Sequence, residues 1–402
     1  MKKRWQSKAL GKVCGIKPPK SEARDRVSAD ELVSFLPMED MGIDEKFVRT
    51  TQTRPLSAVA GSYTYFADGD VLLAKITPCF ENGKLGIAEG LTNGIGFGSS
   101  EYFVFRPDAT LSKEWLYYFL SRETFRVEGA ARMSGAVGHK RVSKEFIESY
   151  PIPVPPLSEQ QRIVGILDEA IEGIATAKAK AEKNLQNARA LFESHLHSVF
   201  IQRGPGWVKT IIGEVIRFID YRGKTPVKTA SGIRLITAKN VKMGYLQETP
   251  MEFIASASYR GWMTRGVPQK GDVLFTTEAP LANVAQLDTD KKVAFAQRII
   301  IMQPEKTKLD CTFLKYLLLS GPVQQRIRTK GTGATVQGIK ASLLKQIEIS
   351  FPKTLTEQEQ IVEKLDALNE ETQRLKSLYQ RKLAALDELK KSLLHQAFTG
   401  NL

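Results

Sequence analysis

The sequence predicts an α+β protein in which two mixed, strand-rich domains are separated by two long helices that form an antiparallel coiled coil. Three observations support this fold class. Residues 156–168 align with 354–366, a long run of apolar residues spaced three and four apart follows each copy, and residues 204–350 repeat the plan of residues 1–152 at lower fidelity. The chain is therefore expected to contain an internal pseudo-two-fold repeat.

The predicted boundaries follow from this repeat. A first strand-rich domain spans 1–152, a long helix 153–203, a second strand-rich domain 204–351 and a second long helix 352–402. The Gly-Pro-Gly sequence at 204–206 is expected to end the first long helix. Each domain, at roughly 150 residues, is long enough to bury its own core.

Both long helices are predicted to begin with a capping box. Ser158 and Thr356 take the N-cap positions, and Gln161 and Glu359 follow three residues later. Such a pair satisfies backbone N–H groups that have no partner inside the helix. We therefore expect the first helical turn to begin just after Ser158 and Thr356.

The apolar residues of these helices keep a period of 3.5 residues. This apolar seam runs over 164–199 in the first helix and 361–396 in the second, and His195, Lys382 and Leu389 are among its positions. A 3.5-residue period predicts a two-helix supercoil in which each helix is the partner of the other. The alternative is a long surface helix on each domain, which would not require the starting motif to recur.

Short apolar or alternating runs predict strands in the first domain, at 32–38, 69–75 and 101–105. Residues 112–129 then predict an amphipathic helix. Its aromatic side chains share one face, and we expect them to lie in the core, with base stacking as the alternative. They are Trp115, Tyr118, Phe119 and Phe125.

The second domain repeats these elements. Residues 271–274 match 69–72, and a late helix is again predicted to begin near Asp310. A polar, glycine-rich loop follows the late helix in each domain, at 132–141 and at 330–340. We refer to these two segments as the first loop and the second loop.

Positive charge is concentrated around both loops. The chain carries 58 Lys and Arg residues against 44 Asp and Glu, a net charge of +14 at pH 7, but residues 129–144 and 311–347 contain no acid. Glycines let backbone amides approach phosphates, and Lys and Arg neutralise phosphates with release of counterions. A short basic run is usually an ordinary solvated loop, but its recurrence at equivalent places favours nucleic-acid binding.

The candidate DNA contacts are polar and glycine residues of the two loops and of predicted strand ends. The sequence assigns no base to any of them. In the first domain they are Lys17, Lys20, Lys75, Thr77, Arg132, Gly135, His139, Lys140 and Arg141. In the second domain they are Arg222, Lys224, Thr225, Lys239, Asn240, Arg328, Lys330, Thr332, Gly333, Thr335, Gln337 and Lys340.

The sequence contains no recognisable catalytic or metal-binding pattern. It lacks a G-x-x-x-x-G-K-[ST] loop, a G-x-S-x-G elbow, and the Asn-Pro-Pro-aromatic or Asp-Pro-Pro-Tyr stretch that holds a target adenine. Its four histidines have no cysteine or carboxylate at metal-ligand spacing. We therefore expect a non-catalytic, metal-free chain that binds and positions DNA while another chain catalyses.

Cysteine usage and hydropathy indicate the compartment. Cys14, Cys79 and Cys311 form no C-x-x-C pair, which favours a reducing cytosol over disulfides or zinc. No apolar run approaches 18 residues, and no apolar segment follows the basic N-terminal residues. We expect a cytoplasmic protein without a membrane span.

Four features together resemble a specificity subunit of a Type I restriction-modification enzyme. They are the order of domains and helices, the paired segments 156–164 and 354–362, the stretch 233–241 and the final residues 396–402. This resemblance covers essentially the whole chain. It implies that the strand-rich domains are target-recognition domains, each recognising one half of a bipartite site in double-stranded DNA, with the helix pair setting the spacer.

The same resemblance implies partners. Two modification (methyltransferase) subunits would dock on the long helices, and restriction subunits would join them to form the nuclease. The methyl donor, ATP and magnesium would be bound by those subunits, and this chain would bind no cofactor. Residues 37–40 differ from their counterparts at 237–240, which fits two half-sites of different sequence.

Two other classes of function remain open. One is a DNA methyltransferase with fused recognition domains, against which the missing catalytic stretch argues. The other is a coiled-coil scaffold or adaptor with no DNA role. A gel-shift experiment with random duplex at low salt would separate the scaffold from a recognition subunit.

Overall fold

The chain divides into two compact units, each built around one strand-rich domain. Unit 1 comprises Met1–Ala181 and Arg381–Leu402, and unit 2 comprises Glu182–Gln380. Each unit therefore contains one domain, the start of the long helix that follows it, and the end of the other long helix. The computed structural model describes residues 5–136, 138–223, 225–296, 298–333 and 337–402.

The described part of the first domain is made of short strands and helices. The strands are β1 (Gln6–Ala9), β2 (Cys14–Ile16), β3 (Leu32–Leu36), β4 (Gln52–Pro55), β5 (Thr64–Ala67), β6 (Val71–Ala74), β7 (Leu85–Ile87), β8 (Ile95–Gly98), β9 (Tyr102–Pro107) and β10 (Pro151–Val154). The helices are α1 (Leu10–Val13), α2 (Ser21–Arg24), α3 (Leu56–Val59), α4 (Lys113–Leu120), α5 (Glu123–Ala131) and α6 (Lys144–Ser149).

The second domain is built from equivalent elements. Its strands in the described residues are β11 (Trp207–Ile211), β12 (Ile216–Asp220), β13 (Ile233–Ile236), β14 (Glu252–Ile254), β15 (Val273–Thr276), β16 (Val284–Gln286), β17 (Val293–Phe295), β18 (Ile299–Pro304) and β19 (Glu348–Pro352). The long helix α7 (Leu157–Ile201) precedes them, and the helices that follow it are α8 (Ile212–Val215), α9 (Tyr259–Trp262), α10 (Cys311–Leu319), α11 (Gly321–Lys330), α12 (Ala341–Lys345) and α13 (Leu355–Thr399).

The sheets of the two domains share one topology. The order β2-β9-β6-β7 in the first domain corresponds to β12-β18-β15-β16 in the second, and all of these pairs are antiparallel. The order β4-β3-β8 corresponds to β14-β13-β17, and β3–β8 and β13–β17 are both parallel. The first domain adds β5 beside β8. The predicted α+β class and internal repeat are confirmed.

The two long helices run in opposite directions where they meet within unit 1. Near the start of α7, Arg162 donates to the backbone oxygen of Leu402 at 2.9 Å, and further along α7 the Lys178 Nζ lies 2.6 Å from the Asp387 carboxylate. Residue numbers thus rise along α7 and fall along α13, as in an antiparallel coiled coil.

Each long helix ends with a phenylalanine in the core of a domain. In unit 1, Phe398 of α13 lies 4.4 Å from the ring of Trp115. In unit 2, Phe200 of α7 lies 5.4 Å from the ring of Phe313. Burying a side chain of this size contributes about 2 kcal/mol. The helix ends are therefore held to their domains by core packing and not only by contact between helices.

The helices begin earlier than the predicted capping boxes. Because α7 starts at Leu157 and α13 at Leu355, Ser158 and Thr356 lie inside the first turn, so the capping-box prediction is wrong. Thr354 instead accepts the Glu357 N–H, at 3.4 Å.

Two fully buried glutamines explain the earlier helix starts. Gln160 accepts the Ser112 N–H and donates to the Thr110 and Pro155 carbonyls, each at 2.8 Å. Gln358 makes the same contacts, also at 2.8 Å, with Asp310, Lys308 and Pro352. Both glutamines bond the first helical turn to the preceding domain, and tertiary contacts thereby set the helix start.

The strict 3.5-residue seam is also only partly correct. Leu196 and Phe200 are buried near the end of α7, whereas His195 is exposed. Along α13, Leu394 is buried while Leu389 is 47% exposed. A straight α-helix has 3.6 residues per turn, so a 3.5-residue pattern drifts around it. The inward face follows that drift where a helix packs on a domain.

The predicted late helix of the first domain is two helices, α4 and α5. Arg122 between them has an extended backbone, and its Nε donates to the Phe119 carbonyl at 3.0 Å, which ends α4. The four predicted aromatic side chains are at most 4% exposed, so their core role is confirmed. In the second domain, Asp310 caps α10 as expected, accepting the N–H groups of Thr312 and Phe313.

Candidate nucleic-acid interface

The first loop is a closed hairpin bonded to the end of β6. Ser134 and Arg141 exchange two backbone hydrogen bonds, at 3.1 and 2.9 Å. The Thr77 N–H donates to the Lys140 carbonyl at 2.9 Å, and the Val142 N–H to the Lys75 carbonyl at 3.0 Å. The structure therefore brings together two groups of predicted residues, Lys75 with Thr77 and the first loop, that lie far apart in the sequence.

The second loop has the same construction. Thr332 and Gly338 exchange backbone hydrogen bonds at 2.8 and 2.9 Å, and the Ile339 N–H donates to the Thr277 carbonyl at 2.9 Å. Thr277 directly follows β15, as Lys75 directly follows β6. Each loop is thus attached to the end of the equivalent strand of its own domain.

One glycine in each loop adopts a conformation that favours glycine. Gly135 has φ 124° and Gly333 has φ 118°, in the left-handed region where a side chain is strained. A Cβ at Gly135 would also approach the His139 carbonyl oxygen to 3.0 Å. A side chain at either glycine would therefore strain the loop backbone at that position.

Most of the predicted contact residues are exposed to solvent. The half-buried ones are Lys20, Lys75, Thr77 and Arg222, and the buried one is Asn240. Lys224 and Thr335 lie outside the described residues. The exposed ones are Lys17, Arg132, Gly135, His139, Lys140, Arg141, Thr225, Lys239, Arg328, Lys330, Thr332, Gly333, Gln337 and Lys340.

Glu101 organises the basic residues beside the first loop. Arg141 donates to its two carboxylate oxygens at 2.9 and 2.7 Å, and the Lys75 Nζ lies 4.0 Å away. The hydrogen bonds from Arg141 lower the pKa of Glu101. Burial lowers the pKa of Lys75. The negative charge of Glu101 opposes this change, and the positive charges of Arg141 and Lys17 lower the pKa further. These four charged groups therefore act on one another at the base of the loop.

In the second domain, predicted residues from separate segments line one cleft of about 300 Å³. Arg222, Thr332 and Lys340 lie there together with Arg298 and Glu278. The Arg298 Nε is 3.1 Å from the Glu278 Oε1. Sequence reasoning missed this pair and Glu101. Their place in the repeat could have identified two of them, because Glu101 directly precedes β9 and Arg298 directly precedes the equivalent strand β18.

Arg222 is held by an acid beside the same cleft. It donates to the carboxylate of Asp220 through Nε at 2.8 Å and Nη2 at 2.6 Å. Burial raises the pKa of Asp220, but the hydrogen bonds from Arg222 and the positive charges of Arg222 and Arg265 together lower it overall. Arg222 is thereby oriented at the cleft wall.

Three of the predicted contact residues use their side chains in hydrogen bonds to the protein backbone. Lys20 donates to the Gly61 carbonyl at 2.7 Å, and Lys330 to the Gln346 carbonyl at 3.3 Å. Asn240 is 1% exposed, and its amide donates to the Pro250 carbonyl at 2.9 Å. These side chains hold local backbone in place, and their DNA contacts stay predictions.

The described residues contain neither a metal-ligand cluster nor a membrane-spanning helix. No group of three or more His, Cys, Asp and Glu side chains is arranged to hold a metal ion in that part of the chain. None of the helices there is both long and apolar enough to cross a membrane.

A family model described as "Type I restriction modification DNA specificity domain" matches residues 2–186 and 207–381. The EcoEI and EcoAI specificity subunits of Escherichia coli are each 38% identical over 162 residues, which is 40% of this chain and 27% of theirs. The chain thus spans about a quarter of the length of these two relatives. The putative MjaX specificity subunit of Methanocaldococcus jannaschii is 23% identical over 83% of this chain and 78% of its own.

Two solved structures share the fold along the whole chain. A chain from a structure concerning complex assembly and conformational transition of the type I R-M system has a TM-score of 0.80 at 20% identity, covering 100% of this chain and 99% of that one. The HsdS subunit from Thermoanaerobacter tengcongensis has a TM-score of 0.65 at 19% identity, covering 100% and 98%. At these identities the likeness concerns the fold.

Proposed function

The chain belongs to the family of Type I restriction modification DNA specificity domains, and from this membership we propose that it is a sequence-specific DNA-binding subunit. Each strand-rich domain recognises one half of a bipartite site in double-stranded DNA. The chain acts in the cytoplasm, and its partners are modification (methyltransferase) subunits and restriction subunits. The methyl donor, ATP and magnesium are bound by those partners, and this chain supplies no catalytic residue.

The matched construction of the two loops carries this proposal. In each unit the loop is closed by a backbone pair, is bonded to the end of an equivalent strand, and exposes Lys and Arg residues. A single basic loop would be ordinary. Two loops with the same attachment, in stretches without acids at 129–144 and 311–347, provide one phosphate-contacting surface in each domain.

The backbone pairs that join the two ends of each loop favour binding. Ends that are already held together lose less conformational freedom on contact with DNA than ends that are free. Exposed Lys140 and Lys340 neutralise phosphates, which gives affinity without sequence preference. Sequence preference must then come from side chains that reach base edges beside the loops.

The direct test is methylation mapping by single-molecule sequencing in a host that carries this chain and its modification partner. We expect one bipartite motif with two defined half-sites and a fixed gap. The matched control is the same host with the partner alone, which should show no such motif. Methylation that does not depend on this chain would contradict the proposal, and absence of any motif would favour the scaffold alternative.

We also propose that helix length sets the gap between half-sites. The helices α7 and α13 contain 45 residues each, so each is about 67 Å long at about 1.5 Å per residue. Inserting four residues, about one turn, within 178–190 and at the matching place in α13 should change the preferred gap and leave both half-sites unaltered. An unchanged gap in a binding selection would refute this role of the helices.

A further inference from the structure

The two domains place opposite charges at one equivalent backbone position. In the first domain the Lys75 N–H donates to the Glu101 carbonyl, and in the second the Thr277 N–H donates to the Arg298 carbonyl, both at 2.9 Å. Glu101 directly precedes β9 and Arg298 directly precedes β18. The repeat thus preserves the backbone at this position while the side chain changes from a carboxylate to a guanidinium.

Each of these residues has an oppositely charged neighbour where the loop meets the strand end. Glu101 binds the guanidinium of Arg141, a residue of the first loop, through two hydrogen bonds. Arg298 meets Glu278, which is paired through its backbone with Gly338 of the second loop. An oppositely charged pair is therefore present in both domains. The partner comes from the loop in the first domain and from the end of β15 in the second.

The Arg298–Glu278 pair is open to solvent. Its side chains are 46% and 47% exposed, and both line the cleft that also contains Lys340 and Thr332. An ion pair this exposed contributes little to stability, because solvent screens both charges. The fold therefore gains little from placing these two charges here.

The backbone of Arg298 is strained. Its φ of 76° lies in the left-handed region, which is uncommon for a residue other than glycine. Such strain destabilises the folded state and occurs often at functional positions. A glycine would remove the strain, but the chain has an arginine at this position.

A phosphate site does not account for this pair. The Glu278 carboxylate, 3.1 Å from the guanidinium, would repel a phosphate bound there. The major-groove edge of a G·C base pair has the complementary pattern. Guanine O6 and N7 accept from arginine, and N4 of the cytosine in the same pair donates to a carboxylate. A donor beside an acceptor fits this edge and not a phosphate.

We infer that Arg298 and Glu278 are specificity-determining residues that recognise a G·C base pair in the half-site bound by the second domain. Arg298 donates to the guanine, and Glu278 orients Arg298 and accepts from the cytosine. The inference rests on the proposed function, because it assigns bases to a DNA-contacting surface. In the first domain the equivalent position holds Glu101. Its carboxylate cannot donate a hydrogen bond to guanine, so the first domain does not make this contact.

The test is a binding selection from a pool of randomised duplexes, using the full chain together with its modification subunit. The wild type should select a G·C pair at one position of one half-site. Arg298→Gln and Glu278→Gln should each lower selectivity at that position by about tenfold or more. The rest of that half-site and the whole of the other should be unaffected.

A matched control lies at the other end of β15. Lys270 forms an exposed ion pair with Asp290 at 3.4 Å, so Lys270→Gln also removes a surface ion pair but should leave both half-sites unchanged. Glu278→Gln keeps the shape of its side chain and decides the matter if Arg298→Gln fails to fold.

Two results would overturn the inference, and they are distinguishable. If the Gln variants select the same two half-sites as the wild type, the pair does not recognise a base, and the proposed function stands. If the wild type with its partner selects no bipartite site, the proposed function fails and the inference fails with it.

Discussion

The two domains differ in the side chain that is hydrogen-bonded to one buried acid. Asp70 and Asp272 directly precede the equivalent strands β6 and β15 and are 1% and 2% exposed. Asp70 accepts from Arg106, through Nε at 2.7 Å and Nη2 at 2.8 Å. Asp272 accepts from the amide of Gln303, the residue equivalent to Arg106, at 2.7 Å. The same buried carboxylate is therefore paired with a cation in one domain and with a neutral amide in the other.

This difference shows which features the repeat preserves. The backbone and the buried acid are kept, because the Ala67 and Gln269 N–H groups donate to Asp70 and Asp272 at 2.8 and 2.7 Å. The partner of the acid has changed. Without a guanidinium, burial raises the pKa of Asp272. The two domains thus share a frame and differ in its electrostatics.

The largest effect should come from Arg106→Ala. It leaves the buried Asp70 without its cation, so we expect a loss of about 3 kcal/mol of unfolding free energy in the first domain. Gln303→Ala should cost only about 1.5 kcal/mol in the second, since one hydrogen bond to a carboxylate is lost. Hydrogen exchange of the β6 and β15 amides would report each domain separately. Equal losses in both variants would mean that the two acids are held in the same way.

The helix starts should behave alike in the two units. Gln160→Ala and Gln358→Ala each leave buried backbone groups unpaired, and we expect each to cost about 2 kcal/mol. The measurement is hydrogen exchange in the first turns of α7 and α13. An effect confined to one helix would contradict the equivalence of these two contacts. Ser158→Ala, at the residue wrongly predicted as a cap, is the control and should change little.

The two loops should contribute similarly to DNA affinity. Lys140→Ala in the first loop, and Lys330→Ala or Lys340→Ala in the second, should weaken binding to all sequences. Each should also lower the slope of log affinity against log salt by about 1, because one phosphate contact is lost. Binding isotherms at several salt concentrations measure this. With Lys270→Ala as the control, an unchanged slope in all three variants would show that the loops do not touch phosphate.

The smallest expected effect is the change with pH in the stability that Asp272 contributes to the second domain. Burial raises the pKa of Asp272 above that of the unfolded chain, so the folded state holds this proton more tightly. Its contribution to stability is fully present below the unfolded pKa of about 3.9 and is lost as pH rises through the raised folded pKa. Stability of Asp272→Asn relative to wild type should therefore improve as pH rises above about 4. Parallel unfolding curves across pH would contradict this.

Much of the fold could be predicted because its signals are local or repeated. The long apolar spacing predicted α7 and α13, and the aromatic face predicted the first core. The start of α7 could not be predicted, because a capping motif at Ser158 competes with the buried hydrogen bonds of Gln160, whose partners lie about 50 residues away. A local motif gives way when distant backbone groups provide better partners.

The candidate site was predicted in outline only. Glycine content and the absence of acids identified both loops, because these are properties of single segments. The sequence did not identify Glu101, Glu278 and Arg298. Each is an isolated charge in the sequence, and only the fold brings it next to its oppositely charged partner. Asn240 is predicted as a contact because it follows a predicted strand end, yet its amide is used within its own loop.

The sequence by itself determined the repeated order of elements, the two long helices and the position of both basic loops. These depend on periodicity and composition, which act along the chain. Only the tertiary structure decided where each helix begins, which face of it is buried, and which acid accompanies each arginine. Those outcomes depend on the burial and pairing of groups distant in sequence, and no single segment contains that information.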